Sequence, residues 1–382
     1  MQTADHPRIL CVHPSAELYG SDRAFLESVE AIRARWPGAS IEVELPINGP
    51  LVPELERVSI VRIKPRRTIA RSRFVSTAAR FLLGYPAAAA YALNRMRRFD
   101  AVYINTVVPL DFISAGIFIR RRVCVHVHEI PGRTMSRVLG WLFSISAGLV
   151  IFNSAGTQGA YDIGRTPHVI IHNGFEMPPL PEREADDGRF KIVMIGRISR
   201  LKGQRLLVSA LKLLPPDVRA GLDVRIVGGS IPGREDEVTE LEEHIRTEGL
   251  GAIVGLHPFS QDPSPHFSWT DVVVVPSIEP ESFGRVAAEG GAHGRAVIAA
   301  AHGGLPEIVN DQDTGWLFRP GDAADLARVL TEAKTDPERL RAFGLAGRAQ
   351  VEAMFSRAIV DAKLTSTLET FIAGSGRQGH GR

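Results

Sequence analysis

The 382-residue chain is 44% hydrophobic with a formal net charge of +2. That is enough apolar content for two or three separately cored domains, and it excludes a disordered or fibrous polymer. Its two cysteines, Cys11 and Cys124, each sit inside a short apolar run, so no disulfide framework or cysteine metal site is suggested and a reducing cytoplasm is expected.

The polar start from Met1 to Arg8, and an apolar run after it that reaches only from Ile9 to Val12, carry no secretion signal. An apolar run at 8–13, a turn around Gly20 and a helical pattern over 22–35 read as a βα unit opening a parallel sheet. Further strands are predicted at 101–104, 123–127, 148–152 and 168–171, each followed by a polar or Gly-containing turn. Between Met177 and Phe190 the composition shifts to prolines and charge, which predicts an interdomain linker. A second α/β series follows, with strands at 191–195, 224–227, 272–275 and 296–299. The expected domains are therefore 1–178 and 179–355, each a Rossmann-like unit. A C-terminal helix is expected over 356–382, packing back toward the N-terminal domain and ending in a frayed Gly-rich tail. Two such domains in series place a ligand cleft between them.

Two segments carry chemistry. In Met194 to Gly203 a strand runs into a glycine turn with two cations. Gly196 lets backbone approach a ligand, Arg197 offers a planar fork of donors, and Lys202 adds a point charge, a combination suited to a diphosphate. In Val275 to Gly290 a buried strand leads to a helix expected to begin near Phe283. The amides of Ser282, Phe283 and Gly284 would then form an anion site, with Glu281 and Glu289 eight positions apart to meet a sugar and a ribose. A solvated basic loop and two solvated glutamates are the plain alternatives.

Gly196-Arg197 with Lys202-Gly203, then Glu281-Ser282-Phe283-Gly284 and Glu289, then Gly303 to Val309 and Thr314 to Leu317, together resemble the signature series of family 4 retaining glycosyltransferases of the GT-B fold, the group 1 family. Asn173-Gly174 and Tyr19-Gly20-Ser21-Asp22 resemble that family's segments before the linker and in its N-terminal glycine loop. The resemblance implies an α/β GT-B architecture of two doubly wound parallel-sheet domains facing a central cleft. It also implies transfer from a nucleotide diphosphate sugar to a glycan, lipid-linked or small-molecule acceptor. Arg197 and Lys202 would bind the donor diphosphate and support catalysis, Glu289 would hold the ribose and Glu281 the transferred sugar. Gly20, Gly196, Ser282, Phe283 and Gly284 would complete the donor site, and His128 at an N-domain strand end would face the donor sugar. A front-face mechanism is implied, with the departing diphosphate as base and no cofactor or metal. Asp311-Gln312-Asp313 superficially resembles a metal-binding Asp-x-Asp but falls in a surface turn. Gly20-Ser21 stands where relatives carry Gly-Gly, and Gly290-Gly291 after Glu289 is expected to weaken its helix.

Between Arg57 and Phe99 lie eleven basic residues (Arg57, Arg62, Lys64, Arg66, Arg67, Arg71, Arg73, Arg80, Arg95, Arg97 and Arg98) and no Asp or Glu, so the remainder of the chain carries −9. The apolar stretch within it, from Phe74 to Leu93, is broken by Arg80, Gly84 and Pro86, which argues against a membrane span. It fits a segment lying on an anionic membrane surface, with Phe74, Phe81, Leu82 and Leu83 as apolar contacts, on a cytoplasmic protein peripheral to the inner face of the cell membrane. An ordinary helix pair with solvated arginines is the alternative. No module for nucleic acid is present. Other classes are a GT-B nucleotide-sugar epimerase, a sugar phosphorylase and a non-catalytic nucleotide-sugar binder. A dehydrogenase lacks its Gly-x-Gly-x-x-Gly after the first strand.

Overall fold

A computed structural model describes residues 6–18, 20–65, 74–180, 187–230 and 233–376. The chain forms two compact units, one of residues up to Gly174 together with those from Ala358, the other Phe175–Arg357.

The first unit is a parallel sheet of seven strands: β1 (Arg8–Val12), β2 (Ser40–Leu45), β3 (Ile60–Ile63), β4 (Ala101–Asn105), β5 (Val123–Val127), β6 (Leu149–Phe152) and β7 (His168–Ile170). Their order, β3-β2-β1-β4-β5-β6-β7, reverses direction between β1 and β4. β4, β5 and β6 are buried at every position, as a sheet covered on both faces requires. In the helix Gly20–Arg35, Phe25, Val29 and Ile32 recur at helical spacing and enter the core beside β1 and β2.

β2 escapes the apolar reading because it carries charge inward, and β3 because it is a short edge strand with Arg62 exposed. Glu44, on β2, is buried and accepts from Arg95 Nε at 3.3 Å, while Glu42 accepts from Arg62 at 2.6 Å and also from Arg95. Arg57 pairs with Glu54 at 2.5 Å. Three of the eleven basic residues are therefore tied to carboxylates of their own unit. Phe74–Met96 is one helix that runs through Pro86, where an interrupted segment was expected. Arg66, Arg67, Arg71 and Arg73 lie outside the described residues, and from Phe74 to Leu83 only the backbone is described.

The second unit is a parallel sheet of six strands: β8 (Phe190–Ile195), β9 (Leu222–Val227), β10 (Val254–His257), β11 (Val272–Val275), β12 (Ala296–Ala300) and β13 (Gly315–Phe318). Their order is β10-β9-β8-β11-β12-β13, with the reversal between β8 and β11. The boundary between units falls at Gly174, ahead of the proline-rich stretch expected to be the linker. Phe175 already donates its amide to Phe355 O at 2.9 Å, and Pro178 O accepts from Arg348, so the stretch after Gly174 is fastened to the second unit. The last helix, Arg357–Gly376, places Val360, Leu364 and Leu368 in the core of the first unit. Of the tail expected to fray, Gly374 to Gly376 are helical and residues 377–382 lie outside the described part.

Candidate functional site

In an open parallel sheet the carboxyl ends of the strands at the point of reversal diverge and leave room for a ligand. In the second unit the residues singled out from the sequence stand at that point. Gly196 follows β8 and donates its amide to Val227 O at 2.9 Å. Arg197 is exposed, with no side-chain ion pair among the described residues, and its carbonyl accepts from Gln204 Nε2 at 2.9 Å. Lys202 ends the loop and donates from Nζ to Glu281 Oε1 at 2.6 Å.

Glu281 comes from the turn after β11. Ser277 Oγ also donates to its Oε1 at 2.6 Å, and His302 Nε2 in turn donates to Ser277 O at 2.8 Å. Burial would raise the Glu281 carboxyl, but Lys202, Ser277 and the nearby His302 more than reverse it and hold the group below the usual carboxylate range. The turn is packed on the loop after β12. Gly304 donates its amide to Glu281 O at 2.8 Å, and Gly303 stands at φ +62° where a side chain would strike the Glu281 backbone. Ser277, His302 and Gln204 were not singled out from the sequence. Ser277 and Gln204 reach the site through partners four and seven residues away, and His302 through one twenty-five residues away.

The helix after β11 begins at Arg285, not near Phe283, with Gly284 in the left-handed region as its cap. The Phe283 side chain is buried against Phe175 and Phe355, with ring centroids 5.9 and 5.4 Å away, so only its backbone can face a ligand. Glu289 lies on the helix Arg285–Ala292 and pairs with Arg285 at 3.7 Å. Gly290 and Gly291 do not simply weaken this helix: a Cβ at Gly290 would come 2.9 Å from Val273, and one at Gly291 3.0 Å from Val351. Their absence of side chain lets the helix sit close on β11 and on the helix Pro337–Phe355. Asp311, in the suspected Asp-x-Asp, accepts from the Leu317 amide at 2.8 Å.

Gly20 and His128 belong to the first unit. Gly20 is the first residue of the helix Gly20–Arg35. Tyr19, quoted with it in the glycine loop, lies outside the described residues. His128 follows β5 and is buried, its Nε2 2.9 Å from Asn105 Oδ1 at the end of β4. Asn105 Nδ2 lies 3.0 Å from His13 Nδ1, just past β1, and His13 Nε2 lies 2.8 Å from Asp22 Oδ1. His126, deeper on the same strand face, has its ring 4.1 Å from the His128 ring at a 40° tilt and bonds Tyr103 at 2.5 Å. Burial pushes His126 down to about 3. Glu129 is buried too; its carboxylate accepts from the amides of His128 and Val107 at 3.1 and 3.3 Å, and burial pushes it up to about 7 against those bonds. Among the described residues no helix is long and apolar enough to cross a membrane.

Two parallel-sheet Rossmann-like units, the second with cations and a carboxylate at its strand reversal, define the class: a protein of GT-B fold. Anabaena Alr3699/HepE, crystallised with UDP and glucose, superposes with a TM-score of 0.79 and 26% identity over 96% of this chain and 100% of that one. Residues 180–350 match the family model for glycosyl transferases group 1. Curated relatives include D-inositol 3-phosphate glycosyltransferases of Arthrobacter sp. (strain FB24), 40% identical over 155 residues, and of Thermomonospora curvata, 36% identical over 155 residues. Each match covers 39% of this chain, and the chain spans 35% and 36% of the lengths of those two proteins. The group 1 glycosyltransferase match thus falls within the second unit, and the chain as a whole shares the GT-B fold of the Anabaena protein.

Proposed function

We propose that the protein is a retaining, metal-independent glycosyltransferase. It moves a sugar from a nucleoside diphosphate sugar to a glycan, lipid-linked or small-molecule acceptor in polysaccharide or glycoconjugate biosynthesis. The observation that carries this reading is the cluster of Arg197, Lys202 and Glu281 at a strand reversal, in a chain similar over 96% of its length to a protein crystallised with UDP and glucose.

In this reading Arg197 and Lys202 neutralise charge that grows on the departing diphosphate, where fixed cations stabilise the transition state more than the ground state. Glu281 receives hydroxyls of the transferred sugar, Glu289 the ribose, and the backbone of Gly196 and of Ser282 to Gly284 lies along the phosphates. Gly20 and His128 contribute from the first unit. The leaving diphosphate takes the acceptor proton on the same face of the sugar. Incubation with UDP-glucose, with and without acceptor, tests the class: sugar transfer separates this enzyme from an epimerase, a phosphorylase or a binder. Persistence of activity in EDTA and an unchanged anomeric configuration by NMR test the mechanism. Loss in EDTA restored by a divalent ion, or an inverted product, would overturn it.

A second reading concerns location. We propose that the first unit docks on anionic lipid at the inner face of the cell membrane. The basic excess between Arg57 and Phe99 suggested this, and a specific observation favours it: the helix Arg133–Ser146 carries no acidic residue and exposes Met135, Val138 and Trp141 along one stripe, at 54%, 54% and 63% exposure, with Arg133 and Arg137 beside them. Co-sedimentation with vesicles tests it.

A further inference from the structure

The four groups Asp22, His13, Asn105 and His128 form a single file of hydrogen bonds, and all four side chains are buried. The file crosses the strand reversal of the first sheet: His13 follows β1, Asn105 ends β4, and His128 follows β5. Its members are fixed in place. His13 stacks on Phe25 at 4.5 Å with 10° between the rings. Thr106, next to Asn105, holds φ +71°, a conformation β-branched residues avoid, with its amide on His126 O at 2.8 Å.

The direction of the file follows from donor and acceptor chemistry. An ionised Asp22 can only accept, so His13 must carry its proton on Nε2. Burial lowers His13 more than Asp22 raises it, so the ring is neutral and its Nδ1 must accept. Asn105 therefore turns its NH2 to His13 and its oxygen to His128, which must donate from Nε2. Both histidines and the amide are ambivalent. Asp22 alone has a fixed polarity.

We propose that Asp22, His13 and Asn105 are positioning residues that impose the Nε2–H tautomer on His128, leaving its Nδ1 to act as an acceptor toward a sugar hydroxyl. The part played in transfer rests on the function proposed above; the tautomer does not. Such orienting bonds decide which nitrogen of an imidazole faces the chemistry.

The test is 15N NMR of histidine-labelled full-length protein, read without substrate. In the parent, His13 and His128 should both show Nε2 protonated and Nδ1 bare. Asp22→Asn, nearly isosteric, lets the file run either way, so His128 should populate its Nδ1–H form although residue 22 does not bond it in the file. Asn105→Asp should keep His128 protonated on Nε2 while His13, now between two carboxylates, becomes doubly protonated. A parent His128 protonated on Nδ1, or an Asp22→Asn protein with unchanged His128 signals, would overturn the proposal. With UDP-glucose as donor, kcat should fall roughly tenfold in Asp22→Asn with KM nearly constant, and less in Asn105→Asp. Full turnover by His128→Ala would remove His128 from sugar transfer, and the NMR result would still decide the file.

Discussion

Lys202 Nζ and Glu281 Oε1, 2.6 Å apart, join the loop after β8 to the turn after β11. The pair spans the strand reversal and sets the charge of the site. Lys202→Ala removes a cation from the phosphates and leaves Glu281 with only Ser277 and the field of His302 against burial. Nucleoside diphosphate should then bind about 10- to 100-fold more weakly, the loss expected from a charge-assisted bond of about 1.5–3 kcal/mol, while nucleoside binding is little changed. Isothermal titration with UDP and uridine checks this, and equal losses for both would remove Lys202 from the diphosphate. The Glu281 carboxyl, held low in the native state, stabilises the fold above its unfolded value near 4.5 and loses that contribution as pH falls through the folded value. Lys202→Ala should therefore show less acid-side loss of stability than the parent.

Arg197→Ala should weaken diphosphate binding by a similar factor without the stability change, because Arg197 is exposed and no ion pair holds it among the described residues. A denaturation midpoint that moved as far as that of Lys202→Ala would show Arg197 to be a structural residue.

Gly290→Ala separates propensity from packing. In an exposed helix the change adds about 1 kcal/mol of stability. Here the new Cβ would stand 2.9 Å from Val273, and overpacking of a fixed strand costs about 1–3 kcal/mol. Net destabilisation and displacement of Glu289 are expected, read as a lower denaturation midpoint together with weaker UDP-glucose binding. A stabilised variant would show that the helix can shift.

This glycine also marks what the sequence could and could not disclose. Buried parallel strands such as β6 and β11 are plain apolar runs, and the cations, glycines and glutamates of the second unit lie in two short segments, so both were legible. Glu42 and Glu44 hid β2, because their partners Arg62 and Arg95 come from twenty and about fifty residues away. His13, Asn105 and His128 look unrelated along the chain until the order β1-β4-β5 makes them neighbours. Helix packing, not local propensity, explains Gly290.

If the first unit meets anionic lipid, replacing Met135, Val138 and Trp141 together by Ser should weaken binding to vesicles containing phosphatidylglycerol by at least about tenfold, through loss of inserted apolar surface. Added salt should weaken the parent, each arginine near the surface contributing about 1 kcal/mol. Equal binding to pure phosphatidylcholine, or indifference to salt, would return the stripe to plain exposed surface.

Glu129 gives the protein a pH dependence of known sign. Its folded value of about 7 stands above the unfolded 4.5, so between those values the native state holds a proton that the unfolded chain has released. Stability falls as pH rises through that window and levels off above it, by about 3 kcal/mol for a shift of this size. His126, pushed down to about 3, works in the opposite sense, losing stability as pH falls below 6.5. That contribution is common to parent and variant and cancels in their difference. Glu129→Gln removes the titration and can keep a carbonyl oxygen where Oε2 accepts both backbone amides, but it puts an NH2 in place of Oε1 and a weaker, uncharged acceptor before the amides and Thr106, a cost of about 1 kcal/mol. The variant should match or fall slightly below the parent at pH 5 and exceed it by about 1–2 kcal/mol at pH 8. Urea unfolding of both proteins at the two pH values measures this. A gap of the same size at pH 5 and pH 8 would mean that Glu129 is already ionised throughout, and that the amides of His128 and Val107 outweigh its burial.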